Sequence, residues 1–454
     1  MTKTEMHLNE TKNDAIIKNF IVQFAKKKKP VEVSFRELLP EIRNTERFTH
    51  LIHSYPAKLL VHIPYLFINN TLFSKPGDYV LDPFAGTGTV LLEAILGKRN
   101  AYGADANPLA RLISEVKISD VDITKLKKYK ASVLKSAKSR KTSVVPSVVN
   151  CKYWFPKKTI IQLSRIFSSI DSIKDATIRN FMLVAFSNCV KKVSYADTRI
   201  SVPVRLNANR YKTGTSENVK ITSYLKKLET LNIYDKFEQI VNENIARHAA
   251  FQEKRVKKYK GAIISNDARK LTKRNSKSLL PDKSVQLIIS SPPYAGAQKY
   301  IRASSLNLGW TNLATADKLL ELDGQNIGRE NFKKSELILK PTKIPAADSL
   351  IKIVNNINTT RATIVNQYLL DMLDALDEMY RVLKKNGYLV LIIGNNKVCN
   401  MEFNTQEYLT EYLLKKKMKL QFKLIDDIRS YGLMTKRNKT ADIISREWIL
   451  VFKK

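Results

Sequence analysis

From residue 53 onward, apolar positions alternate between helical and strand-like spacing. After Pro56 they recur at helical spacing, and Tyr79–Leu81 is a short apolar run typical of a buried strand. A glycine-containing loop then leads into a second helical pattern at 90–96, and another apolar strand ends at the acidic Asp105. This β-loop-α-β order predicts an α/β fold with a parallel sheet.

The middle of the chain has a different pattern. Between 120 and 260, apolar residues recur at i, i+3, i+4 and i+7, as on amphipathic helices, and strand-like runs return at 261–271 and 285–294. A helical pattern from Leu369 to Leu383 ends at the sequence KKNG, and Tyr388–Ile393 is a further buried strand before a last one near the end of the sequence.

These changes divide the chain into four parts. We expect residues 1–50 to form an N-terminal arm or short helices, and 51–120 to form the first part of the α/β domain. Residues 121–260 are predicted to be an inserted, mostly helical and basic domain, and 261–454 the second part of the α/β domain.

The charge of the chain indicates a polyanionic partner. The formal net charge is +36, and a positive surface attracts phosphate backbones. Abundant Lys, Asn and Ile also fit an A/T-rich coding sequence, which accounts for part of the excess. Lysine is nevertheless clustered: Lys125–Lys158 holds eleven basic residues and no acidic one, and Lys254–Lys260 holds five in seven. A solvated lysine-rich face is the alternative explanation.

Several classes of protein are disfavoured. The three cysteines are far apart and the five histidines have no ligand spacing, so neither a disulfide framework nor a metal site is expected. Apolar runs are shorter than the ~20 residues of a membrane-spanning helix, and a signal-peptide pattern is absent. These features predict a cytoplasmic protein that does not enter the membrane.

The loop DPFAGTGT, Asp82–Thr89, lies between a predicted strand and a helix. Gly86 and Gly88 allow a tight turn and close approach of a ligand to the backbone. Asp105, about twenty residues further, can accept hydrogen bonds from both hydroxyls of a ribose. Because the GxxxxGK[ST] pattern is absent, a nucleoside ligand without phosphates is favoured. A dinucleotide oxidoreductase is a weaker alternative, since the loop is not GxGxxG.

A second stretch, SPPY, ends the predicted strand Leu287–Ile289. Proline lacks the N–H that a continuing strand needs, so Pro292 and Pro293 stop the strand in a rigid turn. Such a turn can fix the Ser291 hydroxyl and the Pro292 carbonyl in position.

Together, DPFAGTGT, GADAN and SPPY resemble the motifs of S-adenosylmethionine-dependent amino methyltransferases that act on DNA. The resemblance implies a Rossmann-like methyltransferase sheet with helices on both faces, and S-adenosylmethionine as the cofactor. It also implies that Asp82, Phe84, Gly86 and Gly88 line the methionine and ribose side of the cofactor, while Asp105 holds the ribose hydroxyls.

Three further cofactor contacts follow from the same resemblance. Asp267, in the sequence NDAR, corresponds to the residue that meets the adenine amino group. Tyr55 and Lys58, in HSYPAK, resemble the segment that closes over the methionine moiety.

The resemblance also gives SPPY a chemical role. An exocyclic base amine is a poor nucleophile because its lone pair is delocalised into the ring. Ser291 and the Pro292 carbonyl are expected to accept its hydrogens from the turn that Pro293 stiffens, while Tyr294 stacks on the base once it has left the duplex. In the resembled family a leading serine is commoner among N4-cytosine enzymes, so N4 of cytosine is favoured over N6 of adenine. Many serine enzymes have the opposite motif order, which weakens the choice of base more than the choice of reaction.

The expected partner is double-stranded DNA, with a cognate restriction endonuclease as a further candidate. The helical insert is where a target-recognition module would lie. Basic residues after SPPY, at 297–310, and in the stretch 429–440 are candidates for nucleic-acid contacts or simple surface. An RNA exocyclic-amine methyltransferase and a silent nucleic-acid-binding subunit remain the alternatives.

Overall fold

The computed structural model describes residues 3–42, 47–56, 58–296, 299–427 and 446–454. Its strands are β1 Val31–Glu32, β2 Tyr79–Asp82, β3 Asn100–Ala104, β4 Gly261–Ser265, β5 Val285–Ser290, β6 Leu383–Ile393, β7 Asn396–Val398, β8 Met401–Phe403, β9 Lys419–Asp427 and β10 Arg446–Lys453. Its α-helices are α1 Lys3–Lys27, α2 Phe35–Leu38, α3 His62–Ile68, α4 Thr89–Leu96, α5 Pro108–Ile118, α6 Ile123–Ser139, α7 Cys151–Trp154, α8 Lys157–Asp171, α9 Ala176–Val190, α10 Ser216–Thr230, α11 Ile233–Lys254, α12 Tyr300–Trp310, α13 Leu319–Gly324, α14 Pro345–Ile357, α15 Thr359–Val382 and α16 Thr405–Lys415.

Within the described ranges, eight strands form one sheet in the order β1-β9-β10-β6-β5-β2-β3-β4. Strand β10 is antiparallel to both of its neighbours, whereas the other pairs are parallel. The chain leaves β2 toward β3 and β4, and leaves β5 toward β6, so the strand order reverses between β2 and β5. Ligands of open α/β sheets bind at such a switch point, outside the carboxyl ends of the strands.

Helices cover both faces of this sheet, as the α/β prediction requires. One apolar core lies between the sheet and helices α14, α15 and α16. The other lies between the sheet and helices α1, α3 and α4. Strand residues on both faces are buried, which explains the continuous apolar runs in the sequence. The Rossmann-like α/β fold class is therefore confirmed.

The first fifty residues differ from the predicted arm or short helices. Helix α1 is 25 residues long, and its Phe20 ring lies 6.2 Å from that of Phe422 on β9. Strand β1 then pairs in parallel with β9. The segment thus extends the α/β sheet, and a two-residue strand is too short to show a periodicity in sequence.

The stretch KKNG also differs from its prediction as a helix end. Helix α15 ends at Val382, and β6 begins at Leu383, so KKNG lies inside the strand, with Asn386 in the left-handed region at φ 64°. Strand β10 pairs only with Tyr388–Ile393, and the partners of β5 pass from Leu383 to Tyr388 with a shift of register, so KKNG bulges from the ladder. Hydrogen bonds of 2.9 Å from the Asn386 N–H to Lys454 O and of 3.0 Å from the Lys454 N–H to Gly387 O hold it.

Residues 123–254 contain helices α6 to α11. The apolar faces of α6, α7, α8, α9 and α11 share one core with α5 and α12, including Phe186 of α9 and Trp310 of α12. The basic outer positions of α6 alternate with buried Leu126, Val133 and Leu134 at helical spacing. In the described part of the chain, every helix is too short or too polar to span a membrane.

Candidate active site

The glycine loop and the SPPY turn lie side by side because β2 and β5 are neighbours. Val80 pairs with Leu287 and Leu81 with Ile288, in parallel. Both strands therefore end at the same edge of the sheet, and each is followed at once by its motif. About two hundred residues of intervening sequence separate two motifs that adjacent strands bring together.

A buried hydrogen bond joins the two motifs. The Ser290 hydroxyl donates to Asp82 Oδ1 at 2.6 Å, and the Phe84 N–H donates to the same oxygen at 3.0 Å. Burial raises the pKa of Asp82 to about 7, although both hydrogen bonds act in the opposite direction. Asp82 thus fixes the loop to the strand that carries SPPY.

Backbone geometry explains the two glycines of the loop. Gly86 has φ 49° and Gly88 has φ 74°, both in the left-handed region that glycine adopts without steric cost. Gly88 is the N-cap of α4, and a Cβ there would lie 3.0 Å from Ser114 Oγ. A Cβ at Gly86 would meet nothing within 4 Å, so that glycine faces open space.

Asp105 closes the loop from the neighbouring strand. Its Oδ2 accepts a hydrogen bond of 2.8 Å from the Gly86 N–H, and its Oδ1 accepts one of 2.8 Å from the Asn107 N–H. Burial raises the pKa of Asp105 to about 6 despite both donors. The carboxylate retains lone pairs for further donors, because each oxygen can accept more than one hydrogen bond.

A cavity opens between the loop, Asp105 and the SPPY turn, and we call it the cofactor pocket. Its lining includes Tyr55, Pro83, Phe84, Gly86, Asp105, Ala106, Asn107, Asn266, Asp267, Ala268, Ser291, Pro293, Tyr300, Gln325, Asn326 and Ile327. None of these described lining residues is Lys or Arg, which suits a nucleoside ligand without phosphates. The carboxylates of Asp105 and Asp267, the aromatic and amide side chains of the lining and the open space at Gly86 are groups that can hold the S-adenosyl moiety.

Asp267 lies in this pocket but already has a cationic partner. The Arg269 Nε donates to Asp267 Oδ1 at 2.9 Å, and Arg269 Nη1 donates to Asp371 Oδ1 at 2.9 Å. The pair holds the Asp267 carboxylate in a fixed orientation at the pocket wall.

A second and larger cavity, the large cleft, continues from the other side of the SPPY turn. Ser291 lines both cavities, and Tyr294, Asp82 and Lys58 line the large cleft. Other residues of the cleft come from distant segments: Arg36, Thr198, Arg199, Ile200, Ser201, Asp426, Asp427 and Glu447. Ser291 is therefore at the passage between the two cavities.

Lys58 and Tyr55 form the edge of the large cleft. Lys58 Nζ donates to the carbonyl oxygens of His53 at 2.6 Å and of His50 at 3.1 Å, and burial lowers the pKa of Lys58 to about 8. The Tyr55 hydroxyl accepts a hydrogen bond of 2.9 Å from Asn107 Nδ2. Tyr55 lines both cavities, next to the residues that hold Asp105.

The structure distributes the predicted site residues over the two cavities. Asp105, Asp267 and Pro293 line the cofactor pocket, Asp82, Lys58, Pro292 and Tyr294 line the large cleft, and both cavities share Tyr55, Phe84, Gly86 and Ser291. Gly88 lies behind the loop against Ser114.

Of the flanking stretches, 297–310 brings Tyr300 to both cavities, while Lys299 pairs with Glu330 at 3.2 Å. The basic stretch 429–440 lies outside the described residues.

Three features of the site were not predicted. Ser290 adjoins the motif and could have been found from its polar position at the end of an apolar strand. Glu447 lies 153 residues from Tyr294, whose hydroxyl donates a hydrogen bond to Glu447 Oε1. The loop 195–206 of the helical region brings Arg199 to the large cleft. Neither Glu447 nor this loop has a local sequence signal for its position.

Comparison with known proteins adds independent information. The N6/N4 methyltransferase family model, described as DNA methylase, matches residues 2–115 and 285–454, which together are more than half of the chain. The unmatched middle contains helices α6 to α11.

Among curated proteins, the chain is similar to Type II methyltransferase M.MvaI of Kocuria varians, with 25% identity over 396 residues that cover 82% of each sequence. Type II methyltransferase M.MjaII of Methanocaldococcus jannaschii is 35% identical over 102 residues, which cover 22% of this chain and 19% of that protein. A solved structure of the rRNA methyltransferase aviRa from Streptomyces viridochromogenes aligns over 88% of this chain and 89% of that chain, with 10% identity. Its TM-score of 0.26 is too low to support any argument.

Proposed function

Because the chain belongs to the DNA methylase family, and is therefore an S-adenosylmethionine-dependent DNA amino methyltransferase, we propose that it modifies N4 of cytosine within a specific sequence of double-stranded DNA. The observation that carries this proposal is the position of Ser291, which lines both the cofactor pocket and the large cleft. The leading serine supports cytosine by the family resemblance, and N6 of adenine is the alternative target.

In this proposal the residues of SPPY act directly on the base. The Ser291 hydroxyl and the Pro292 carbonyl accept the two hydrogens of the exocyclic amine, which withdraws the nitrogen lone pair from the ring and directs it toward the cofactor pocket. Tyr294 stacks on the extruded base, and stacking of ~1–3 kcal/mol offsets much of the cost of unpairing it. S-adenosylmethionine, when bound, supplies the methyl group in line with this nitrogen.

We assign the cofactor contacts by the same positions. Asp105 accepts the ribose hydroxyls, Asp267 accepts the adenine amino group, and Phe84 packs on the nucleoside. Gly86 and Gly88 allow the loop to approach the cofactor. Asp82 lies with Tyr55 and Lys58 on the methionine side, and its hydrogen bond from Ser290 keeps the loop and SPPY at a fixed distance.

The helical region 121–260 serves, in our proposal, as the target-recognition module. The family model leaves all of it unmatched, and its loop 195–206 lines the same large cleft as Ser291 and Tyr294. This loop is held by hydrogen bonds of 2.8 Å from the Leu206 N–H to Tyr195 O and from the Asp197 N–H to Val204 O. A braced loop that presents Arg199 suits contact with phosphates or base edges.

The relatives are named Type II methyltransferases, which supports a role beside a restriction endonuclease. In that role methylation of the host sequence prevents cleavage by the partner nuclease. The prediction is that DNA from cells expressing this chain resists one endonuclease activity that cleaves the unmethylated sequence.

The decisive experiment is incubation of the purified protein with isotopically labelled S-adenosylmethionine and unmethylated DNA, and separately with RNA. Digestion to nucleosides and mass analysis identify the product. Detection of N4-methyldeoxycytidine supports the proposal. Detection of N6-methyldeoxyadenosine shows that adenine, and not cytosine, is the target base. Label in RNA alone contradicts the proposal that DNA is the substrate. A Ser291→Ala protein is the matched control for contaminating methylases.

A further inference from the structure

The serine of SPPY leaves one requirement of the chemistry unmet. When an exocyclic amine gains a methyl group, the nitrogen becomes cationic and must lose a proton. A neutral serine hydroxyl has no negative charge to attract that proton. A carboxylate connected to the serine would supply this charge.

Glu447 is connected to the turn in this way. It lies at the start of β10, lines the large cleft, and accepts a hydrogen bond from the Tyr294 hydroxyl. Ser291 lies three residues before Tyr294 in the same turn, and an interaction with Ser291 lowers the pKa of Tyr294 against the larger effect of burial. Ser291, Tyr294 and Glu447 all line the large cleft, and a hydrogen bond joins the last two.

The charged groups around Glu447 come from two elements besides its own, strand β9 and helix α2. Asp426 is its register partner on β9, Asp427 follows it, and Arg36 of α2 lies on the other side. Burial raises the pKa of Glu447, while Tyr294 and Arg36 lower it. The charge of Glu447 contributes to raising the pKa of Asp426 to about 6, after burial as the main cause.

A negative cluster is unexpected at this place. The enzyme must admit DNA to the cleft, and carboxylates repel phosphates, so Glu447 is not explained by affinity for DNA. A protein with formal net charge +36 nevertheless places this carboxylate beside SPPY. Its hydrogen bond from Tyr294 connects this carboxylate to the motif that acts on the base in the proposed function.

We propose that Glu447 accepts, through Ser291 and Tyr294, the proton that the exocyclic amine loses on methylation. The inference rests on the proposed function. The nitrogen lone pair forms the bond to the methyl carbon, the carbon–sulfur bond breaks, and its electron pair stays on sulfur, which becomes a neutral thioether. The cationic nitrogen gives one proton to Ser291 as Ser291 gives its own to Tyr294, and Tyr294 gives its own to Glu447. Methylated neutral amine and protonated glutamic acid are the products of this step.

A purely structural role makes a different prediction. If Glu447 only held the Tyr294 ring in place, glutamine would suffice, because its side-chain oxygen accepts the same hydrogen bond. Glutamine cannot accept a proton, so Glu447→Gln separates charge from geometry. Because Glu447 reaches the amine only through Tyr294 and Ser291, a pH profile is the suitable readout of its role.

The test is single-turnover methylation of unmethylated genomic DNA across pH, with enzyme in excess, for the wild type, Glu447→Gln, Tyr294→Phe and the double variant. We expect Glu447→Gln to lower the rate at least tenfold at neutral pH and to remove the fall in rate that the wild type shows as Glu447 is protonated in acid. Tyr294→Phe keeps the ring and breaks the relay, so it should have a similar effect. The double variant should be no more than about twofold slower than the slower single variant, because both changes interrupt one chain.

Glu402→Gln, on β8 and paired with Lys397, is the matched control and should retain the wild-type rate and profile. A wild-type rate and pH profile in Glu447→Gln would overturn the inference, as would additive losses in the double variant. If Glu447→Gln fails to fold, Tyr294→Phe decides: an unchanged profile there overturns the proposal. A wild-type protein that methylates no DNA contradicts the proposed function itself, which distinguishes the two failures.

Discussion

Ser290 and Asp82 share a buried hydrogen bond of 2.6 Å that ties the end of one central strand to the end of its neighbour. Ser290 directly precedes SPPY, and Asp82 begins the glycine loop. The distance between the two motifs is therefore set by two side chains in the core and not by a flexible connection. Rigid support of this kind keeps an acceptor and a cofactor in line for transfer.

The protonation state of Asp82 makes the free energy of unfolding depend on pH. Its pKa is raised from 3.8 to about 7 in the fold, so the native state binds a proton more tightly than the unfolded state. The contribution of Asp82 to the free energy of unfolding therefore falls as pH rises from about 4 to about 7. We expect Asp82→Asn, which keeps an acceptor for Ser290, to gain stability relative to the wild type over this range, by up to about 4 kcal/mol.

Denaturant unfolding at pH 5 and pH 8 measures this difference. Glu217→Gln, an exposed position on α10, is the control and should show no such divergence from the wild type. Equal differences between Asp82→Asn and the wild type at both pH values would show that Asp82 is not protonated in the fold.

The motifs predicted most of the central site because they follow strands directly. Asp82, Gly86 and Asp105 were each found from strand ends and turn residues, since parallel strands gather their carboxyl ends at one edge. The fold class followed from the same periodicity. Local sequence carries this information because the apolar run and the turn that ends it are contiguous.

Contacts between distant segments could not be predicted in this way. Glu447 and Tyr294 are brought together by the pairing of β10 with β6 and of β6 with β5, and no short-range pattern encodes these pairings. Strand β1 has two residues, and its place in the sheet depends on β9. Arg199 reaches the cleft through the packing of several helices, and the helical periodicity of 121–260 does not predict how those helices pack.

A second prediction concerns the cofactor pocket. Asp105→Ala removes the acceptor for the Gly86 N–H as well as the proposed ribose acceptor. We expect the dissociation constant for S-adenosylmethionine to rise at least tenfold, with an intermediate effect for Asp105→Asn, because each lost hydrogen bond to a charged group is worth about 1.5–3 kcal/mol. Isothermal titration calorimetry measures the dissociation constant of each variant for S-adenosylmethionine. An unchanged affinity in Asp105→Ala would exclude Asp105 as the residue that accepts the ribose hydroxyls.

A third prediction separates binding from transfer. Ser291→Ala should bind S-adenosylmethionine within about twofold of the wild type but transfer methyl groups about 100-fold more slowly, since it loses an acceptor for the reacting amine. The control is Ser305→Ala, whose hydroxyl donates to the Arg302 carbonyl oxygen on α12. Wild-type transfer by Ser291→Ala would remove this serine from the mechanism.

The fourth prediction tests the loop 195–206 as a DNA contact. The Arg199 side chain is 69% exposed at the large cleft, with Asp197 holding it at 2.7 Å. Arg199→Ala should weaken DNA binding several-fold and reduce the slope of log affinity against log salt by about one, as expected for one lost phosphate contact. Lys352→Ala on α14, an exposed cation away from both cavities, should leave affinity and slope unchanged. Equal effects of the two substitutions would reduce the role of Arg199 to general surface charge.

The last prediction uses the contrast between the two glycines of the loop. Both are left-handed, so alanine costs about 1–2 kcal/mol of backbone strain at either position. At Gly88 the new Cβ would also meet Ser114 Oγ at 3.0 Å, so Gly88→Ala should destabilise the protein more than Gly86→Ala does. At Gly86 the Cβ would project into open space that the proposed cofactor occupies, so Gly86→Ala should weaken S-adenosylmethionine binding more than its loss of stability explains. Thermal unfolding and calorimetric titration of both variants give the two quantities separately. If Gly86→Ala binds the cofactor as tightly as the wild type, the open space beside Gly86 is not part of the cofactor site.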